Sequence, residues 1–106
     1  MPFLQIIPRP LTAGAVHTYA PTESGVYGIS NAREWIYIGE SDNIQNTLLN
    51  HLQEWDTSLM QRQPTGFVFE VCGRERRPAR QVCLVHEYDP FCNRDPAPAR
   101  PERRRS

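Results

Sequence analysis

Residues 25–39 read GVYGISNAREWIYIG, and this stretch decides the fold of the chain. Large apolar residues alternate with small or polar ones from Gly25 to Ile29, a polar break follows at 31–33, and the alternation resumes from Glu34 to Gly39. Two alternating runs separated by a short polar break are typical of antiparallel strands joined by a turn. The stretch therefore predicts a β-hairpin.

The segment after the hairpin predicts a helix over residues 43–55. Asp42, followed by Gln45 three residues later, fits a capping box at the start of a helix. Apolar residues then recur at helical spacing and define a buried face: Ile44, Leu48, Leu52 and Trp55.

The next two elements are a third strand and a second helix. Residues 67–72 alternate as a strand does, and this strand is expected to join the hairpin. Pro78 suits the first turn of a helix over about 78–88, and Pro90 ends it. We expect the helix to face the core with Val82, Cys83 and Val85.

Composition separates the two ends of the chain from a central domain over residues 21–93. Prolines at positions 2, 8, 10 and 21 predict an extended N-terminal arm over residues 1–20 rather than a helix. Residues 94–106 contain no large apolar side chain to offset the entropy of ordering, which predicts a disordered basic tail.

The charges balance overall but are unevenly placed. Residues 1–73 hold three Arg and seven acidic residues, whereas residues 74–106 hold nine Arg and five acidic residues, and no Lys occurs. No apolar run reaches the eighteen or so residues that span a bilayer, and no signal-peptide pattern opens the chain. We therefore expect a cytoplasmic protein with no membrane partner.

Three cysteines do not form a recognisable framework. Cys72, Cys83 and Cys92 are an odd number without a C-x-x-C pair, which argues against structural disulfides. A zinc site that adds His86 to them fits no finger spacing, so we expect unbridged, metal-free thiols.

The order of the motifs resembles the GIY-YIG nuclease superfamily. Residues 25–27 read GVY, residues 37–39 read YIG, the helix that follows carries His51, and Pro90 with Asn93 closes the domain. The resemblance covers about residues 21–93, and the spacing is similar to that of the UvrC-type excision-repair nuclease domain. It implies an α+β fold with a three-stranded antiparallel sheet flanked by helices, the same order that the residue patterns predict.

The resemblance also implies a set of site residues. In that family two motif tyrosines line a phosphate-binding cleft and one assists the general base; these positions are Tyr27 and Tyr37. His51 matches a position that is often His or Tyr, and Asn93 matches the closing Asn. An Arg on the first helix stabilises phosphoryl charge, and a Glu on a later helix holds one divalent metal ion.

Those last two positions are substituted in this chain. The resemblance places the Arg position at Thr47, which has no charge, and the Glu position at Gln81, which offers a hard metal no anionic oxygen. An arginine aimed at a phosphoryl transition state can contribute on the order of a thousandfold in related chemistry. We therefore expect no bound metal or other cofactor and negligible hydrolysis, which makes the chain a pseudo-nuclease.

Replacement groups would make the chain a divergent nuclease instead. Glu40, Glu75 or Glu87 could supply the missing carboxylate, with Arg33 or Arg80 as the cation. Such an enzyme would be a metal-dependent endonuclease and would use Mg²⁺ or Mn²⁺.

The arginines around the second predicted helix have two interpretations. Four of them cluster there: Arg74, Arg76, Arg77 and Arg80. They form either a solvated face or a set of contacts to nucleic-acid phosphates. Our leading hypothesis is an inactive GIY-YIG-like domain with residual binding of DNA or another nucleic acid, and the alternatives are the divergent nuclease and a module that binds a protein partner.

Overall fold

The computed structural model describes residue 3 and residues 7–54 and 58–93. Trp55 and the tail predicted over residues 94–106 lie outside the described residues. Residues 1, 2 and 4–6 of the predicted arm also lie outside them. The elements in chain order are β1 (Arg9–Pro10), α1 (Ala13–Tyr19), β2 (Gly25–Ser30), β3 (Trp35–Ser41), α2 (Ile44–Gln53), α3 (Ser58–Gln61), β4 (Gly66–Val71), α4 (Arg77–Tyr88) and a 3-10 helix (Phe91–Asn93).

The strands form one antiparallel sheet in the order β1-β4-β2-β3. The predicted hairpin is β2 and β3, and the predicted third strand is β4, which pairs with the other side of β2. The α+β fold and the three-stranded core of the prediction are confirmed, with the two-residue β1 as an added fourth strand. In consequence β3, which carries the YIG motif, is an edge strand.

The hairpin turn is built by Asn31. Its side-chain oxygen accepts hydrogen bonds from the backbone N–H groups of Arg33 and Glu34, at 2.8 and 3.0 Å. An Asn side chain that bonds to the backbone two or three residues ahead stabilises a tight turn. A register shift between Ile29 and Ser30 adds a bulge just before this turn.

Helices cover both faces of the sheet, and each face has its own core. On one face α1 and α2 pack on the sheet through a cluster that includes Val16, Ile29, Ile44, Leu48 and Phe67. On the other face α4 packs through a second cluster of buried residues: Phe3, Val26, Ile38, Val68 and Leu84. All six residues of β2 are buried because the strand lies between both layers.

The prediction of an extended N-terminal arm is wrong over Ala13–Tyr19, which form α1. Thr12 caps the helix, since its hydroxyl accepts a hydrogen bond from the N–H of Ala15 at 3.1 Å. The prolines at positions 8, 10 and 21 flank this helix rather than interrupt it. Val16 is completely buried, so this part of the arm packs into the same core as residues 21–93.

Helix α2 forms as predicted over most of residues 43–55, but its cap differs. Asn43, not Asp42, is the N-cap, and its side chain accepts a hydrogen bond from the N–H of Asn46 at 2.9 Å. The carboxylate of Asp42 instead binds arginines from the other side of the sheet.

Helix α4 also forms as predicted, but its buried face is rotated from the expected one. Val82 is 69% exposed and Cys83 is exposed, whereas Leu84 is completely buried. The side of the helix that faces the sheet therefore carries Arg77, Gln81, Leu84 and Tyr88 at helical spacing. This rotation turns Gln81 toward β3.

None of the helices within the described residues has the length and apolar character needed to cross a membrane.

Candidate functional site

The site lies along β3, between α2 on one face and α4 on the other. Six residues singled out from the sequence surround residues 37–41 of this strand: Tyr27, Tyr37, Thr47, His51, Gln81 and Asn93. We call this region the edge cleft. The structure brings these residues to the strand in three groups, each tied to a different part of β3.

Two tyrosines and His51 form the first group, on the face covered by α2. The hydroxyl of Tyr27 lies 2.8 Å from Nε2 of His51. The ring of Tyr37 is 6.1 Å from that of Tyr27 and 5.8 Å from that of His51, measured between centroids. The predicted cleft positions of Tyr27, Tyr37 and His51 therefore adjoin one another.

Gly39 makes this packing possible. It lies directly across the β2–β3 pair from Tyr27. A Cβ atom on Gly39 would lie 2.6 Å from the Tyr27 hydroxyl oxygen and 2.7 Å from Cε2 of Tyr37. Such separations are far below van der Waals contact. The glycine of the YIG motif thus leaves the space that the two tyrosine rings occupy.

The Tyr27–His51 contact joins two uncharged groups. Burial raises the pKa of the Tyr27 phenol far above its ordinary value, and the neighbouring Tyr37 raises it further. Burial lowers the pKa of His51, although Glu54 partly opposes this effect. A neutral imidazole protonated on Nδ1 can accept a hydrogen bond from the phenol at Nε2. Burial, followed by Cys92 and Glu40, also raises the pKa of Tyr37.

Gln81 and Asn93 form the second group, at the outer edge of β3. The side-chain amide of Asn93 accepts a hydrogen bond from the N–H of Ile38 at 2.7 Å and donates one to its carbonyl at 3.0 Å. The amide nitrogen of Gln81 donates to the same carbonyl at 3.1 Å. The neutral amide at the predicted metal-ligand position is therefore bound to the backbone of β3.

The 3-10 helix that carries Asn93 is fixed by Arg62. The guanidinium of Arg62 stacks on the ring of Phe91, 3.7 Å from its centroid. It also binds the carboxylate of Glu34, at 2.8 Å in the shortest contact. This bridge joins the end of the domain to the region of the hairpin turn and helps to place Asn93 beside Ile38.

Thr47 forms the third group with Ser41 at the end of β3. Their hydroxyl oxygens are 2.5 Å apart, and Ser41 also accepts a hydrogen bond from the N–H of Asn43 at 2.9 Å. The side chain at the predicted arginine position thus takes part in the β3–α2 connection. Sequence reasoning missed Ser41, because only the fold brings it against Thr47.

The proposed replacement carboxylates do not assemble into a metal centre. Glu40 lies on the face of the sheet opposite Tyr27, where its Oε1 is 3.4 Å from Nε of Arg77. Glu75, in the turn before α4, and Glu87, within α4, are both exposed. Within the residues that the structure describes, no group of three or more His, Cys, Asp or Glu side chains could hold a metal ion. The same holds for the zinc site considered with Cys72, Cys83, His86 and Cys92.

The proposed replacement cations are also placed elsewhere. Arg80 binds Glu70 of β4 with two hydrogen bonds, at 2.7 and 2.8 Å, and its side chain is only 16% exposed. Arg33 is exposed in the hairpin turn, at the opposite end of the β2–β3 pair from Ser41. Neither guanidinium occupies the position beside Thr47.

The four arginines near α4 differ in their surroundings. Arg74 and Arg77 both contact Asp42, at 3.2 and 2.7 Å. Arg76 is exposed and, with Glu75 and Cys83 among others, lines an open cavity of about 370 Å³ on the outer side of α4. Sequence reasoning singled out these arginines, but it did not identify Asp42 as a partner, because that contact crosses from one face of the sheet to the other.

The chain has the fold of GIY-YIG endonuclease domains, and the edge cleft holds the residues of the matching motifs. The resemblance found in the motifs is confirmed by solved structures of the GIY-YIG N-terminal endonuclease domain of UvrC from Thermotoga maritima. The form bound to magnesium as its catalytic divalent cation is 25% identical, with a TM-score of 0.62 over 74% of this chain and 94% of that chain. A point mutant bound to its catalytic cation is 22% identical, with a TM-score of 0.64 over 76% and 96%.

A curated relative is also a UvrC protein. UvrABC system protein C of Hydrogenobaculum sp. (strain Y04AAS1) is 49% identical to this chain over 39 residues, which is 37% of the chain. The matched stretch spans only 7% of that protein. No family profile matches the sequence.

Proposed function

We propose that this domain no longer hydrolyses phosphodiester bonds and that it binds nucleic acid weakly through phosphate contacts. The proposed loss of hydrolysis rests on the side chains at the two substituted positions. Thr47 and Gln81 are both neutral, and each is engaged in a hydrogen bond to the scaffold. A group that donates to a carbonyl and carries no charge is a poor ligand for Mg²⁺ or Mn²⁺.

The retained tyrosines cannot compensate for these losses. Tyr27 and Tyr37 are protonated near neutral pH, since burial raises the pKa of each. Burial lowers the pKa of His51, so the imidazole is neutral near neutral pH and could accept a proton from an attacking water. Proton transfer alone leaves the charge on the phosphoryl group without a cation to stabilise it.

Phosphate binding draws on the exposed arginines ahead of α4. The side chain of Arg74 is 74% exposed and Arg76 is exposed, so both can reach a ligand. Arg80 is held by Glu70 and serves the packing of α4 on β4. We therefore assign the outermost phosphate contacts to Arg74 and Arg76.

A nicking assay tests the catalytic half of the proposal. Supercoiled plasmid and branched DNA are incubated with Mg²⁺ or Mn²⁺ and either the unaltered domain or Tyr27→Phe, which removes only the hydroxyl that contacts His51. We expect equal, background-level nicking from the two proteins. Nicking that disappears in Tyr27→Phe would identify the chain as an active nuclease.

A salt titration tests the binding half. Fluorescence polarisation of labelled DNA should show an affinity that falls as salt rises, and Arg74→Ala with Arg76→Ala should reduce the slope of log K against log salt by about 1 to 2. Arg33→Ala, compared with Arg74→Ala alone, is the matched control because each removes one exposed arginine and Arg33 lies at the opposite end of the hairpin. An affinity that ignores salt would remove the phosphate-contact proposal.

A divergent metal-dependent endonuclease is the second candidate. It is favoured by the Tyr27–His51 contact at 2.8 Å, which keeps a possible proton acceptor beside a motif tyrosine. This hypothesis requires that Mg²⁺ or Mn²⁺ be held by Glu40, Glu75 or Glu87, which do not form a cluster of ligands within the described residues.

A module that binds a protein partner is the third candidate. It is favoured by the exposed apolar side chains of Val71 and Val82, which are 49% and 69% exposed. A stoichiometric protein partner, together with no affinity for DNA or RNA, would favour this version over the proposal.

A further inference from the structure

Two arginines on one side of the molecule converge on a single carboxylate oxygen. Nη1 of Arg77 lies 2.7 Å from Oδ1 of Asp42, and Nη2 of Arg74 lies 3.2 Å from the same atom. Asp42 is in the connection between β3 and α2, directly after the strand of the edge cleft. The hydrogen bond from Arg77 is the main reason that the pKa of Asp42 is below its ordinary value.

Arg77 offers more hydrogen-bonding capacity than Asp42 uses. Its side chain is only 13% exposed, and among the residues that the structure describes its buried Nε has no hydrogen-bond partner. Oε1 of Glu40 approaches Nε to 3.4 Å, which is long for a charged pair. The Nε side of the guanidinium is therefore buried beside Glu40, and Nη1 is the nitrogen that is directed to the solvent-exposed carboxylate of Asp42.

Unlike the guanidinium of Arg77, the carboxylate of Asp42 is open to solvent. Its side chain is 65% exposed, and that of Arg74 is 74% exposed. The Arg74–Asp42 pair therefore contributes little, because water and salt screen exposed ion pairs and because ordering long side chains costs entropy. The Arg77–Asp42 hydrogen bond is stronger, but its carboxylate partner is still open to solvent. Asp42 can thus turn into solvent without disturbing the core.

We propose that Arg77 and Arg74 form a phosphate-binding site and that Asp42 occupies it as an intramolecular competitor. This inference rests on the proposed nucleic-acid binding, and the ligand to which we commit is a phosphate of the nucleic-acid backbone. The two non-bridging oxygens of a backbone phosphate can engage two guanidinium groups together. Displacement of Asp42 removes a negative charge from the site when the phosphate enters.

The central test is Asp42→Asn, which keeps the size of the side chain and removes the charge. Polarisation with a labelled DNA duplex at low salt should show affinity higher on the order of three- to tenfold, since a competing charge is lost. Glu23→Gln is the matched control because it makes the same change in net charge at an exposed residue whose backbone carbonyl binds the N–H of Ile44, near Asp42. Adding Arg74→Gln to Asp42→Asn should remove most of the gain.

A second measurement reports on the site without DNA. The NMR signal of the Arg77 Nε–H should shift on titration with inorganic pyrophosphate, and it should do so at lower concentration in Asp42→Asn than in the unaltered protein or Glu23→Gln. Equal responses of Asp42→Asn and Glu23→Gln in both measurements would overturn the inference, as would an Arg77 signal that does not respond. A pyrophosphate response without any binding of DNA would keep the site and overturn the proposed nucleic-acid function.

Discussion

The side-chain amide of Asn93 binds both backbone polar groups of Ile38, 55 residues away in sequence. It does for the edge strand β3 what a neighbouring strand would do, since it supplies one donor and one acceptor to the same residue. Open strand edges invite pairing with other chains. Asn93 therefore closes the edge at the cleft and fixes the position of the 3-10 helix that carries it.

Replacing Asn93 by Ala should destabilise the domain. The change leaves the N–H of Ile38 without its acceptor, and we expect the free energy of unfolding to fall by about 1–3 kcal/mol. Urea denaturation measures this loss. Asn50→Ala is the control, because Asn50 is exposed on α2 and its change should have an effect within about 0.5 kcal/mol. Equal stability of the two variants would mean that the Ile38 contacts do not contribute.

Much of the fold could be predicted because its signals are local. The alternation in β2, β3 and β4 and the helical spacing in α2 are strong patterns, and the structure confirms these elements. Helix α1 was missed because the prolines around it dominated the interpretation. The two-residue strand β1 was missed because Arg9–Pro10 form a strand only through their pairing with β4.

The residues of the edge cleft could be predicted, but their partners could not. The motifs identify Tyr27, Tyr37 and His51, which the structure brings together. The hydrogen bond from Gln81 to Ile38 depends on the rotation of α4. Val82 and Cys83, which were expected to face the core, are exposed, and only Val85 of the three packs against it. A helix with few apolar residues gives a weak signal for its buried face.

Restoring charge at the two substituted positions should restore hydrolysis if the rest of the cleft is intact. We expect Thr47→Arg with Gln81→Glu to nick supercoiled plasmid in the presence of Mg²⁺, whereas each single variant should remain at background. The arginine supplies the missing cation and the glutamate the missing anionic ligand. Each change also removes a scaffold hydrogen bond, which should cost about 0.5–1.5 kcal/mol.

The control for this gain is the same double variant with Tyr27→Phe added. Nicking that persists in the triple variant would come from a contaminating nuclease or from a site other than the edge cleft. A stable but inactive double variant, measured by circular dichroism and plasmid assay together, would show that the cleft lacks more than these two groups.

His51 should make stability depend on pH just below neutrality. Burial lowers the pKa of His51 below the ordinary value of 6.5, so the unfolded chain binds a proton more readily than the folded one. The free energy of unfolding should therefore be highest above pH 6.5, and it should decrease as the pH falls below 6.5 toward the folded-state pKa of His51. Thermal unfolding between pH 7.5 and about 5.5, above the usual range of carboxylates, measures the effect. His51→Gln should flatten this part of the curve, and a slope unchanged in that variant would assign it to other groups.

A side chain at Gly39 of the YIG motif should destabilise the domain, whereas a side chain at Gly14 of α1 should stabilise it. Gly39→Ala puts a methyl group within 2.6 Å of the Tyr27 hydroxyl oxygen, and we expect a loss of about 1–3 kcal/mol in the free energy of unfolding from overpacking. Gly14→Ala meets no atom within 4 Å and lies in α1, so it should stabilise the domain by about 0.5–1 kcal/mol. If Gly39→Ala displaces the Tyr27 ring, water reaches His51 and its pKa, measured by NMR, should rise toward the ordinary value. An unchanged pKa together with a large loss of stability would place the strain elsewhere than at the Tyr27–His51 contact.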